Sequence, residues 1–159
     1  MLDNERDDEH FMKEALRLAE RAAELDEVPV GALCVRNGEI ISSAFNTREN
    51  SKCATHHAEI LAIEEACRKL GGWRLPGVTL YVTMEPCVMC AGAVINSRVE
   101  RVVFGAWDKR FGAFGSLLNL SEVPLNHKPE IKAGVLGDEC ASMLSGYFAA
   151  KRKKSNTDT

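Results

Sequence analysis

Apolar residues recur every three or four positions in DDEHFMKEALRLAERAAEL, at Phe11, Ala15, Leu18, Ala22 and Leu25. That spacing predicts an amphipathic helix over 7–25, with acidic residues at the end where the helix dipole favours them. The period then changes. VPVGALCVRNGEIISSAFN holds two β-rich runs around Asn37-Gly38, the dipeptide best suited to a two-residue hairpin turn. THHAEILAIEEACRKLGG returns to helical spacing. Thr55 is its expected cap, Ile60, Ile63, Cys67 and Leu70 its expected stripe, and Gly71-Gly72 its stop. GVTLYVT reads as a strand. PCVMCAGAVINS reads as a helix opened by a proline, and RVVFGA as a buried parallel strand. Residues 107–130 are expected as loop with short helical pieces, EIKAGV as a last strand and GDECASMLSGYFAAKRKK as a final helix. The order predicts an α/β fold in three α/β/α layers, a mixed sheet of about five strands covered by helices. No linker or repeat divides the chain, so 1–159 is expected as one domain, with 1–6 and 155–159 as tails.

Composition adds boundaries. At 159 residues, 45% hydrophobic and 27% charged, the chain suits one soluble domain with a real core. A net charge of −3 carries no nucleic-acid signal, but KRKK at 151–154 is a dense local basic run. No apolar run approaches a membrane span, and the N-terminus has neither a basic n-region nor an apolar h-region. The expectation is cytoplasmic, without a membrane partner. In that compartment six cysteines are expected to bind metal, do chemistry or fill the core.

The chemistry sits in TMEPCVMCAGAV. Cys87 and Cys90 are one helical turn apart at a helix start, where unpaired N–H groups favour thiolates. A redox pair is one reading. A structural zinc clip is another, but it needs four ligands, and no second Cys-x-x-Cys exists. His57-Ala58-Glu59 lies at the other predicted helix start. His57, Cys87 and Cys90 make three ligands, which leaves a fourth position for water, as in a catalytic zinc site. Glu59 can reach that water without being a ligand and can serve as general base and then acid.

H-A-E followed by P-C-x-x-C resembles the zinc-dependent cytidine deaminase-like superfamily. EVPVGA, Asn46, WRL, TLYVTMEPCVMCAGAVINSR, RVVFGAWD, FGS, the Asn126-His127 pair and GVLGDECASMLSGYF extend the resemblance to the bacterial tRNA-specific adenosine deaminases, over roughly residues 7–152. The resemblance implies a cytidine deaminase-like fold and one Zn²⁺ per chain on His57, Cys87 and Cys90. It implies Glu59 as proton shuttle, and Asn46, Ala58 and Asp108 on the substrate side, Asp108 near the RNA backbone. It implies hydrolysis of a wobble adenosine in a tRNA anticodon loop to inosine by a zinc-activated water, and a homodimer. It raises Lys151, Arg152, Lys153 and Lys154 from a solvated helix end to RNA-backbone contacts. The chain departs from the family where Asp-Pro-Thr-Ala is usual before H-A-E. Here it has CATH, with Cys53, Ala54 and His56 in the changed places, and Trp107 and Phe111 are bulkier than expected.

Plainer readings stand beside these. Cys34, Cys67 and Cys140 fall on apolar stripes and are expected in the core. His56 is expected to face away from the ligands, Cys53 to be a loop thiol, and His10 and His127 to be surface or capping residues. Trp107, Phe111 and Phe114 lie in a glycine-bearing loop, where packing and base stacking compete. Two other functions remain open: deamination of a free base or nucleoside, and a zinc-stabilised RNA-binding module without turnover. Glu59 argues against the second.

Overall fold

A computed structural model describes residues 4–157. Asn37 and Gly38 both adopt positive φ, 52° and 75°. β1 (Gly31–Arg36) therefore folds straight back onto β2 (Glu39–Phe45). β1 also pairs antiparallel with β3 (Val78–Met84). β3 then pairs in parallel with β4 (Arg101–Ala106), and β4 with β5 (Glu130–Ala133). The result is one five-stranded mixed sheet, the kind and size the pattern predicts, with its strands in the order β2-β1-β3-β4-β5.

Strand alternation sends Leu80, Val82, Val102 and Phe104 to one face, where they meet α3 (Ala58–Leu70) and α4 (Val88–Asn96). Tyr81 and Val103 turn to the other face, against Phe11, Met12 and Ala15 of α1 (Asn4–Glu24) and Cys140 and Leu144 of α5 (Gly137–Thr157). Helices on both faces make the three layers. α1 lies so close to β1 that any side chain at Gly31 would collide with the Ala15 carbonyl.

Several expectations need correction. Residues 4–6 and 155–157 belong to α1 and α5 and are not tails, while 1–3 and 158–159 lie outside the described residues. Thr55 does not cap α3; its N-cap is His57, with no side-chain cap. The buried apolar face of α3 is Ala58, Ala62, Ile63 and Ala66, whose three alanines admit close approach to the sheet, and Ile60, Cys67 and Leu70 lie at its margin. Cys34 and Cys140 are core residues, whereas Cys67 is half-buried. A one-turn helix, α2 (Arg48–Ser51), forms where no pattern predicts one. Among the described residues no helix is long and apolar enough to cross a membrane.

Asp8 staples α1 to the sheet. It is 1% exposed and accepts hydrogen bonds from Tyr81 Oη at 2.7 Å, Arg101 at 2.8 and 2.7 Å, and Lys132 Nζ at 3.0 Å. Burial alone would raise its carboxyl. The bonds from Arg101, Tyr81 and Lys132 together outweigh burial and hold it down at about 2. Asp8→Ala should cost about 3 kcal/mol at pH 7, the low end for a broken buried pair. Arg101 and Lys132, 18% and 34% exposed, keep some access to water. A depressed carboxyl stabilises the fold above its unfolded pKa of about 3.9, and that contribution fades as pH falls toward 2. Urea melts at pH 7 and pH 3 check both points: the gap between parent and variant should narrow in acid. Equal midpoints at pH 7 would contradict the staple.

Candidate metal centre and cleft

Two helix starts meet at one end of the sheet. His57 is the N-cap of α3 and Cys87 the N-cap of α4, and neither start has a side-chain cap. Their open N–H groups and positive dipole ends therefore point at the same place. Cys90 lies one turn into α4 and is fully buried. His57 Nδ1 lies 3.7 Å from Cys87 Sγ and 3.6 Å from Cys90 Sγ, and the three donor atoms lie within 4.8 Å of one another.

Ordinary Zn–S and Zn–N bonds, at tetrahedral angles, separate a sulfur and a nitrogen ligand by about 3.6 Å. The donor set thus fits zinc in both chemistry and spacing. Hydrogen bonds from Cys90 and His57 favour the Cys87 thiolate and hold that thiol down at about 4, against the opposing effect of burial. The contact with Cys87, then burial, pushes Cys90 up. The bond to Cys87 raises His57 despite its burial.

Glu59 projects beside this group from the first turn of α3 and is 5% exposed. Burial pushes its carboxyl up to about 7. It opens on a cleft of about 510 Å³, whose lining includes Asn46, His57, Ala58, Cys87 and Asp108. The sequence-predicted ligands, Glu59 and the substrate-side residues therefore share one site. Asn46 is itself tied down: its Nδ2 donates to the Val28 carbonyl at 3.2 Å, and its Oδ1 accepts from the Arg48 N–H at 3.1 Å. Asp108 Oδ1 accepts from the backbone N–H groups of Arg110 and Phe111 at 3.1 and 3.2 Å, so part of its carboxylate shapes the loop.

Other residues sort differently. His56 is not in the metal group, and its buried Nδ1 has no partner among the described residues. Cys53 also stands apart, its sulfur 3.4 Å from Thr55 Oγ1. Phe114 is core and Phe111 is exposed in the cleft wall. Trp107 is exposed with its ring edge-on to Phe104. His127 Nε2 donates to the Val99 carbonyl at 2.6 Å, which makes it a structural tie. α5 passes the cleft through Phe148. One turn on, Lys151 Nζ is committed to Asp26 at 3.3 Å and Tyr147 Oη at 3.2 Å.

Two residues that matter here lie inside EVPVGA and TMEPCVMCAGAV, yet their residue types give no sign of what they hold. Glu27 is fully buried and accepts from the N–H groups of Glu49 and Asn50 at 2.9 and 2.7 Å, and from Asn50 Nδ2 at 2.8 Å. It thereby holds α2, which brings Arg48 to the cleft. Glu85, 2% exposed, does the same for the opposite wall. Arg48 and Arg110 both line the cleft.

Residues 5–106 match the family model for the cytidine and deoxycytidylate deaminase zinc-binding region. The chain is 56% identical over 148 residues, 92% of either chain, to the tRNA-specific adenosine deaminase of Bacillus subtilis (strain 168). It superposes with a TM-score of 0.81 and 42% identity on a structure from work on A-to-I editing by tRNA:A34 deaminases at the wobble position, covering 84% of this chain and 98% of that one. The guanine deaminase of Nitrosomonas europaea superposes with a TM-score of 0.75 at 29% identity, covering 89% of this chain and 84% of that one.

Proposed function

The chain belongs to the zinc-binding cytidine and deoxycytidylate deaminase family, in its tRNA-specific adenosine deaminase branch, and from that premise we propose that it hydrolyses the wobble adenosine of a tRNA anticodon loop to inosine. One observation carries the chemical half of this reading: a buried carboxylate, Glu59, beside a three-donor metal group at a cleft. A metal group with no reaction to run would not need that carboxylate.

His57 Nδ1, Cys87 Sγ and Cys90 Sγ would hold one zinc ion. Bound there, zinc would lower the pKa of a coordinated water toward neutrality. Glu59 takes a proton from the attacking water and passes one to N1 of adenine. Water oxygen bonds to C6; Glu59 then takes the second proton from that oxygen and delivers it to the amino nitrogen as the C6–N bond breaks and the C6 carbonyl forms. Adenosine and water become inosine and ammonia. Ala58, small and fully buried, lines the cleft beside Glu59. Asn46 keeps one amide hydrogen and one lone pair for the base edge, since Val28 and Arg48 occupy the others. The base must leave its stack to enter, which an anticodon loop makes cheap.

A guanine deaminase reading has support in the likeness to the Nitrosomonas europaea enzyme. The cationic part of the cleft lining argues for RNA. Arg48 and Arg110 form it, and a free base has no phosphate for them to meet. Ammonia release from separate incubations decides: an adenosine-wobble stem-loop should release it and guanine should not. The reverse pattern would replace the tRNA reading with the guanine one.

The basic run belongs to the same proposal. Each phosphate neutralised contributes about 0.7–0.9 to the slope of log K against log salt. With Lys151 held by Asp26 and Tyr147, replacing all four residues of 151–154 with Ala should flatten the stem-loop slope by roughly one unit. An unchanged slope would return the run to a solvated helix end. We also propose the cytoplasm as its place and a homodimer as its state. A monomer mass by sedimentation at working concentrations would remove the dimer.

A further inference from the structure

A carboxylate taken from water needs donors around it. Those of Glu85 all come from one loop, far along the chain. Oε1 accepts from the Asp108 N–H at 3.0 Å, and Oε2 from the Phe114 and Ser116 N–H groups at 3.1 and 3.0 Å. The Ser116 hydroxyl donates to Oε1 as well. No cation is among these donors. The loop also hangs from the next residue, through the Ala113 N–H to the Pro86 carbonyl at 2.9 Å. Gly112 lies so tightly against the carboxylate that any side chain there would collide with it. Asp108, Arg110 and Phe111 face the cleft from this loop, and Cys87 is two residues beyond Glu85 in sequence.

We propose that Glu85 is a positioning residue for substrate. It gathers the amides of 108–116 onto the segment that carries the metal ligand, and so sets the cleft wall in register with Glu59. It takes no part in proton transfer, because its oxygens are occupied by the loop. The proposal rests on the tRNA deaminase reading for its kinetic assay.

Glu85→Gln keeps the volume but turns one acceptor into a donor that faces other donors. With zinc-loaded full-length protein, the KM for an anticodon stem-loop should rise roughly tenfold or more, with kcat falling less than about threefold. A merely structural residue would lower the folded fraction, and with it the apparent kcat, at unchanged KM; that pattern would overturn the proposal. Adding Arg110→Ala to Glu85→Gln should raise KM little further, because both act through one loop. Increases that multiply would overturn it too. If Glu85→Gln does not fold, Ser116→Ala removes one donor and should raise KM in the same direction, and no change would count against the proposal. Amide exchange at Asp108, Phe114 and Ser116 reads the geometry without any turnover: in Ser116→Ala or Glu85→Gln these amides should lose protection, and unaltered protection would overturn the proposal. Failure of the parent protein to convert the stem-loop would instead strike the tRNA reading and leave the exchange result to judge Glu85.

Discussion

Glu59→Gln should retain full zinc and near-parental affinity for an anticodon stem-loop while losing turnover by about 10²–10⁴-fold or more. The amide fills the same space in the first turn of α3 but has no basic oxygen to accept the proton of the attacking water. One carboxylate makes several transfers in the scheme, so the loss lies at or beyond the upper end of what a single general acid–base group supplies. Glu59 is not among the three metal donors, so zinc content is the control that separates lost chemistry from a lost site. Single-turnover rates with metal analysis on the same preparations make the comparison. Turnover within about tenfold of the parent would mean that another group carries the proton.

Cys87→Ala should empty the site. It removes a donor and the N-cap residue of α4 at once, leaving His57 and Cys90, one on each helix. Two ligands do not make a zinc site of either the structural or the catalytic kind. Zinc is expected to fall from one per chain to near zero, and deamination with it. Stability should fall too. An ion that binds only the folded chain contributes about 2.7 kcal/mol at one hundred times its Kd, and here it ties α3 to α4. A strong chelator should therefore lower the melting temperature of the parent and leave that of Cys87→Ala unmoved. A variant that keeps one zinc, or a parent indifferent to chelator, would remove Cys87 from the ligand set.

The periodic parts of the chain were legible because period is local. Asn37-Gly38 fixed the hairpin, alternation marked the core strands, and three ligand-type residues at two helix starts marked the metal group. What escaped the sequence depends on partners far along the chain. α2 has no amphipathic pattern, and its exposed amides are satisfied by Glu27, more than twenty residues earlier. Glu85 reads as one more acidic residue before Pro86, and only folding reveals the loop gathered round it. Phe111 and Phe114 share one loop and one chemistry; the bridge from Phe114 to Asn119 and the hydrogen bond its backbone N–H donates to Glu85 put only the second in the core. Thr55 looked like a cap by residue type, yet the turns at Cys53–His56 hold the chain so that His57 begins the helix. Lys151 looked available for RNA until Asp26, at the far end of the chain, met it.

The central claim is that this cleft deaminates one adenosine in tRNA. The most direct test incubates zinc-loaded protein with full-length tRNA bearing adenosine at the wobble position, beside Glu59→Gln under the same conditions, and then reads nucleosides and sequence position. The account predicts inosine at the wobble position alone, one ammonia for each inosine formed, and an initial rate of both at least about a hundredfold lower with Glu59→Gln. Unchanged wobble adenosine after exhaustive incubation with metal-loaded parent protein would contradict it.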